Sequence, residues 1–203
     1  MTLPADVSPE AAAKLQRFVE LLLRWNARVN LVAAGDTTAI WQRHVEDSLQ
    51  LIPLLPPGVT RGADLGSGAG FPGLVLALAT GIPFDLIEAD RQKAAFLRTA
   101  AQETAAPVTV HACRIEAASL APVPLVTARA LAPLPQLLRY AAPLLTPGGV
   151  CLFLKGSGVD AELAAAADAW DMAVERFPSR TAPGGEILRL RITPPACGRG
   201  RVA

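Results

Sequence analysis

Residues 62–81, GADLGSGAGFPGLVLALATG, decide how the rest of the chain is read. Gly62, Gly66, Gly68, Gly70 and Gly73 fall within its first twelve positions, and the chain then runs straight into apolar residues. "ADL" reads as the end of a buried strand and "GLVLALA" as a helix, so the glycines occupy a strand-to-helix turn. Glycine there permits left-handed backbone, admits a ligand against the main chain and lets helix and strand approach closely. Gly68, Gly70 and Gly73 match G-x-G-x-x-G, with Gly66 extending the set upstream. No G-K-[ST] follows, which excludes a P-loop phosphate cradle.

Downstream, the same rhythm continues. "PFDLIEAD", "PVTVHAC", "VPLVTARAL" and "TPGGVCLFLKG" read as strands, and "RQKAAFLRTAAQETA", "PLPQLLRYAAPLL" and "DAELAAAADAW" as helices. Such alternation predicts an α/β fold, a mostly parallel Rossmann-like sheet covered on both faces. The last two β-rich segments, "DMAVERFPSR" and "GEILRLRITP", are joined by a Pro-Gly-Gly turn and predict an antiparallel hairpin at one edge. Upstream, Ser8-Pro9-Glu10 has the grammar of a helix start, and Leu15, Phe18, Val19, Leu22 and Val29 recur at helical spacing over 9–28. A second helix is expected over 38–53, closed by Leu55-Pro56-Pro57-Gly58. The expected division is a helical extension over 1–58, a ligand-binding domain over 59–195 and a basic tail over 196–203.

Composition excludes several classes. The chain has 203 residues, 51% of them apolar, which suits one folded domain rather than disorder. Its three cysteines (113, 151 and 197) lack paired spacing and there are two histidines, so neither a zinc cluster nor a disulfide framework is expected. Cys151, in an apolar run, reads as a core filler. The N-terminus lacks a basic region followed by an apolar one, and segment 71–80 is too short to span a bilayer. A soluble cytoplasmic protein without membrane attachment is expected. Net charge is only +1, but six arginines and one acid lie between Arg176 and the C-terminus. A basic tail of this kind suits RNA, and equally a solvated end.

Two nucleoside cofactors, NAD and S-adenosylmethionine (SAM), fit the glycine turn. Glu88 closes the second strand 22 residues after Gly66, where a carboxylate can accept from both ribose hydroxyls of either. Asp64 favours SAM: an anion there repels pyrophosphate but compensates an amino group or sulfonium, directly or by ordering the loop. It could also cap the following helix. Pro72 removes an N–H where a dinucleotide-binding helix would offer one to phosphate. Asp90 reads as the cap of the helix starting at Arg91. After the third strand, Ile115 could pack on an adenine ring and the backbone at Glu116 could bond its edge, although Glu116 could also be a surface acid.

A resemblance spanning roughly residues 15–193 rests on seven linked motifs: LLLRWNARVNL, RHVEDSL, ADLGSGAGFPGLVLA, IEADRQKAAFLR, CRIE, TARALAPL and LFLKG. Together they resemble the ribosomal RNA small subunit methyltransferase G family, also called glucose-inhibited division protein B. The resemblance implies a class I SAM-dependent fold, with seven strands and an N-terminal helical extension, that methylates N7 of one guanine in the decoding-region loop of 16S rRNA. It implies SAM contacts at Gly66, Phe71, Ile115, Glu116 and Arg129, with Glu88 on the ribose. Asp64, Ser67, Gly68 and Gly70 complete the expected cofactor set, and S-adenosylhomocysteine is the expected product. Glu88 stands where many members have Asp, and Gln92 replaces a basic residue often found there.

Guanine N7 already carries an unprotonated lone pair, so no catalytic base is expected and the work is positional. Arg129 could clamp a carboxylate or phosphate or bond guanine O6, or pair with Glu88 or Glu116. His44, Asp47 and Ser48 fall at i, i+3 and i+4, and a triad there is poor because no oxyanion pocket is visible. A His44–Asp47 pair fastening the extension is the better reading, with Trp25, Asn26 and Asn30 serving the same join and Asn30 ordering the turn. Arg24, Arg28 and Arg43, with Arg91, Lys93 and Lys155, are candidate RNA contacts; Lys155 could equally snorkel at a strand end. The expected partner is 16S rRNA within a 30S subunit or assembly intermediate, met by a monomer that holds no metal.

Overall fold

A computed structural model describes residues 7–33 and 35–193, so the tail at 196–203 lies outside the described residues. Seven strands form one sheet in the order β3-β2-β1-β4-β5-β7-β6. Strands β1 (Gly62–Leu65), β2 (Phe84–Ile87), β3 (Val108–His111), β4 (Val123–Arg129) and β5 (Leu145–Lys155) pair in parallel. β7 (Glu186–Thr193) runs antiparallel to β5, and β6 (Asp171–Pro178) antiparallel to β7, which is the expected edge hairpin. Strand order reverses between β1 and β4, and an open α/β sheet leaves a crevice beyond the strand ends at that point.

Alternation along the strands sends successive side chains to two separate cores. In β5, Val150, Leu152 and Leu154 enter one core, whereas Cys151 and Phe153 enter the other. Burial pushes the Cys151 thiol pKa well up, consistent with an inert filler. The second core packs against α6 (Leu134–Ala141) and α7 (Val159–Ala167). The first contains α4 (Gly73–Thr80), α5 (Arg91–Thr104) and, continuous with them, the N-terminal helices.

α1 (Pro9–Asn26) starts where Ser8 Oγ accepts from the Ala11 N–H at 3.1 Å. Its apolar stripe is buried against α4 and α5: the Phe18 ring lies 5.5 Å from that of Phe71 and 6.1 Å from that of Phe96, and Trp25 meets Phe96 edge-on at 5.7 Å. The extension therefore shares a core with the sheet. The turn after α1 is ordered by Asn26, not Asn30: Asn26 Oδ1 accepts from the N–H groups of Leu31 and Val32, and its Nδ2 donates to Val32 O.

The expected second helix is less regular than its sequence suggests. α2 (Thr37–Ile40), capped by Asp36, passes through a π-helical turn (Trp41–Glu46) into α3 (Asp47–Leu49), followed by a 3₁₀ turn at Ile52–Leu54. The wider turn changes the angular phase of the side chains beyond it. That shift separates His44 from Asp47.

Candidate active site

The glycine turn is held from both sides. Ser67 N donates to Ile87 O at 3.0 Å and Gly68 N donates to Glu88 Oε2 at 2.8 Å, tying the turn to the end of β2. Glu88 Oε1 accepts from the Asp90 N–H at 2.8 Å, and Asp90 in turn caps α5 by accepting from Gln92 N and Lys93 N. Gly66 and Gly68 have φ of +61° and +55°, which accounts for glycine at both. A Cβ built on Gly68 finds Gly66 O at 3.8 Å as its sole neighbour within 4 Å, so the backbone here borders open space. Gly73 differs: a Cβ there would lie 2.5 Å from Asp64 Cβ, so its role is close packing of helix on strand.

The turn forms the floor of a cavity of about 540 Å³. Each parallel strand around the switch point contributes its C-terminal loop: Gly66, Ser67, Gly68 and Phe71 after β1, Glu88 after β2, Ile115 and Glu116 after β3, and Arg129 at the end of β4. Eight of the ten expected cofactor residues thus converge on one space. The other two do not line it. Gly70 faces Leu74 and Leu97, and Asp64 is fully buried beneath the turn.

Asp64 Oδ1 accepts from Thr127 Oγ1 at 2.7 Å, while its Oδ2 is buried without a well-formed hydrogen bond. Burial raises its pKa to about 6, against the opposing pull of Thr127, Ser67 and the Gly73 N–H. The acid therefore orders the loop from below and makes no wall of the cavity. Glu116, at the rim, is held below the ordinary carboxylate value chiefly by its own backbone N–H, with Tyr140 and Arg114 adding to the effect.

Arg129 has neither of the carboxylate partners expected. Its Nη1 lies 3.0 Å from Asp47 Oδ2 and donates to Arg43 O at 3.3 Å, and its guanidinium sits 5.0 Å from the centre of the Phe71 ring. His44 stacks on the same ring at 5.0 Å, with Nδ1 buried and unpartnered. Desolvation, with Arg129 and Arg43 nearby, lowers its pKa to about 4, so the imidazole is neutral at physiological pH. The His44–Asp47 pair is absent: Asp47 instead joins Arg129, Gln50 and Thr181. Ser48 Oγ donates to His44 O, which rules out a nucleophilic triad.

Other lining residues have no role assigned to them from the sequence. Ala130 adopts φ +50° directly after Arg129, and Leu131, 37% exposed, covers Gly66. Val32 and Tyr140 complete the walls. Among the candidate RNA residues, Lys93 lines this cavity, and Arg24, Arg28, Arg43 and Arg91 are exposed. Lys155 is engaged elsewhere: its Nζ lies 2.7 Å from Glu162 and donates to Ala132 O at 3.0 Å, with 11% side-chain exposure. It ties β5 to α7 and is withdrawn as an RNA contact.

The family model described as rRNA small subunit methyltransferase G matches residues 11–183. The chain belongs to this family. It is 60% identical over 189 residues to the ribosomal RNA small subunit methyltransferase G of Acidiphilium cryptum, covering 92% of this chain and 87% of that one. The corresponding protein of Gluconobacter oxydans is 54% identical over 91% of this chain and 95% of its own. Among solved structures, an O-methyltransferase from Bacillus cereus in complex with SAH superposes with a TM-score of 0.56 at 16% identity, covering 86% of this chain and 90% of that one. The fold is thus that of class I SAM-dependent methyltransferases, and the family is one of SAM-dependent methyltransferases. Among the described residues, no cluster could hold a metal and no helix is long and apolar enough to cross a membrane.

Proposed function

We propose that this methyltransferase transfers the methyl group of SAM to N7 of a guanine in the decoding-region loop of 16S rRNA, acting as a monomer in the cytoplasm on a 30S subunit or assembly intermediate. The observation that carries the reading is a cofactor-sized cavity floored by glycine backbone and closed by Glu88, with Pro72 at the start of α4. Proline offers no N–H at that helix start, which disfavours the pyrophosphate of a dinucleotide. Glu88 can accept from ribose hydroxyls through lone pairs left free by its two backbone donors. Ile115 offers an apolar face to an adenine, and Gly66, Ser67, Gly68 and Phe71 would hold the remainder of SAM.

When bound, SAM supplies an electrophilic methyl group on a sulfonium. The chain's own task is orientation. Guanine N7 needs no deprotonation, which matches a cavity holding no carboxylate–histidine pair able to act as a base. Neutral His44 places no second cation beside a sulfonium or a methylated, cationic base. Arg129, fixed by Asp47, presents a donor edge suited to guanine O6. The test is transfer of labelled methyl to 30S subunits and to naked 16S rRNA, followed by chain cleavage at N7-methylguanosine. A single site in the decoding-region loop is expected; label elsewhere, or none, overturns the reading.

A further inference from the structure

A second cavity, about 370 Å³, lies outside the cofactor site between the π-helical turn and the β6–β7 connection. Gln42, Arg43 and Glu46 form one side, Arg180 and Thr181 the other. Neither arginine nor Glu46 takes part in an ion pair among the described residues. Two arginines from positions 137 residues apart (180 − 43) share one notch with a single carboxylate, Glu46, so positive charge there exceeds negative.

The notch is built on a fixed frame. Arg180 N donates to Gln50 Oε1 at 3.0 Å, and Gln50 Nε2 donates to Asp47 Oδ1 at 2.8 Å and to Ser179 Oγ at 3.2 Å. Thr181 Oγ1 donates to the same Asp47 oxygen. The other oxygen of Asp47 holds Arg129 in the wall of the cofactor cavity. One buried carboxylate therefore joins the notch to the wall of the cavity, and Arg43 O accepts from the same Arg129, so the notch borders the site that a target base would enter.

The geometry points to Arg43 and Arg180 as a clamp for one phosphodiester of the RNA strand beside the target nucleotide. Arginine forks suit phosphate oxygens, and Glu46 reduces the notch to a net charge of +1. That charge balances the single negative charge of a phosphodiester better than the nearly doubled charge of a terminal or free phosphate.

The inference rests on the methyltransferase reading above, and the experiment separates the two. Methyl transfer to 30S subunits is measured against potassium chloride concentration for wild type, Arg43→Ala, Arg180→Ala and the double variant, with SAM affinity determined by calorimetry for each. If the wild type transfers no methyl group, it is the functional reading that fails. If it does, each single variant is expected to raise the KM for 30S about three- to tenfold and to lower the log–log salt slope by about one. SAM affinity is expected to stay at the wild-type value. Arg180→Lys should restore the slope, since it restores the charge, and Glu46→Gln should lower the KM. A wild-type KM and slope in both alanine variants, or a change in SAM affinity in place of KM, overturns the clamp. So does inhibition of the wild type, but not of the double variant, by inorganic phosphate at low millimolar concentration, which would make the notch a free-phosphate site.

Discussion

The floor and the rim of the active-site cavity are built on opposite plans. The floor is backbone: glycines in left-handed conformations, bonded through Gly68 N to Glu88 and supported from below by a buried Asp64. The rim is side chain: Arg129 between Asp47 and the Phe71 ring, His44 stacked on that ring, and Arg43 and Arg180 beyond. The floor draws on segments adjacent in sequence or on neighbouring strands. The rim draws on the extension, the end of β4 and the β6–β7 connection, which only the complete fold brings together. A backbone floor can receive a cofactor shared by many enzymes, whereas a rim of charged side chains can be specific to one substrate.

That contrast can be broken at either end. Gly68→Val should abolish SAM binding in calorimetry, because the side chain projects into open cavity and a β-branched residue resists φ +55°. RNA affinity measured without SAM should barely move. Glu88→Ala comes next: losing the carboxylate that organises Gly68 and is proposed to accept from ribose should weaken SAM by about 1–3 kcal/mol. If either substitution instead raised the RNA KM at unchanged SAM affinity, floor and rim would have exchanged roles. Asp47→Ala should act on the rim, lowering kcat/KM about tenfold as Arg129 loses its anchor. Partial rescue by Asp47→Asn, read in KM against kcat, distinguishes positioning from a general loss of fold.

The contrast also extends to pH-dependent stability, where floor and rim have opposite signs. His44 is lowered from 6.5 to about 4, so between those values the unfolded chain binds a proton that the native state refuses. Its contribution is present above pH 6.5 and is lost as pH falls through the window. Asp64 is raised from 3.8 to about 6, so the native state holds the extra proton and its contribution grows as pH falls. Urea unfolding at several pH values should show a flatter acid-side decline for His44→Phe and a steeper one for Asp64→Asn. Identical profiles would remove both assignments.

The floor was legible in the sequence because its logic is local. A strand, a dense glycine turn and an apolar helix occupy twenty consecutive residues, and Glu88 follows at a spacing that strand pairing fixes. The alternation of strands and helices and the terminal hairpin were legible for the same reason. The rim was not. His44 and Asp47 looked like a pair at i, i+3, but that spacing assumes an α-helix, and the π-helical turn sends one ring to Phe71 and the carboxylate to Arg129. Two of Asp47's three partners, Arg129 and Thr181, lie 82 and 134 residues away, beyond any local pattern. Lys155 read as a free strand-end cation because Glu162, its partner, lies across a loop on another helix. Asp64 was placed correctly in the glycine approach, yet alternation of β1 turns it under the helix and not into the cavity.

The central claim is that the glycine turn and Glu88 together hold a sulfonium nucleoside, and a crystal structure with S-adenosylhomocysteine tests it most directly. The ribose hydroxyls are expected within hydrogen-bond distance of Glu88, with the ligand against Gly66 and Gly68. A nucleoside seated elsewhere, with Glu88 turned away and Phe71 filling the crevice, would contradict it.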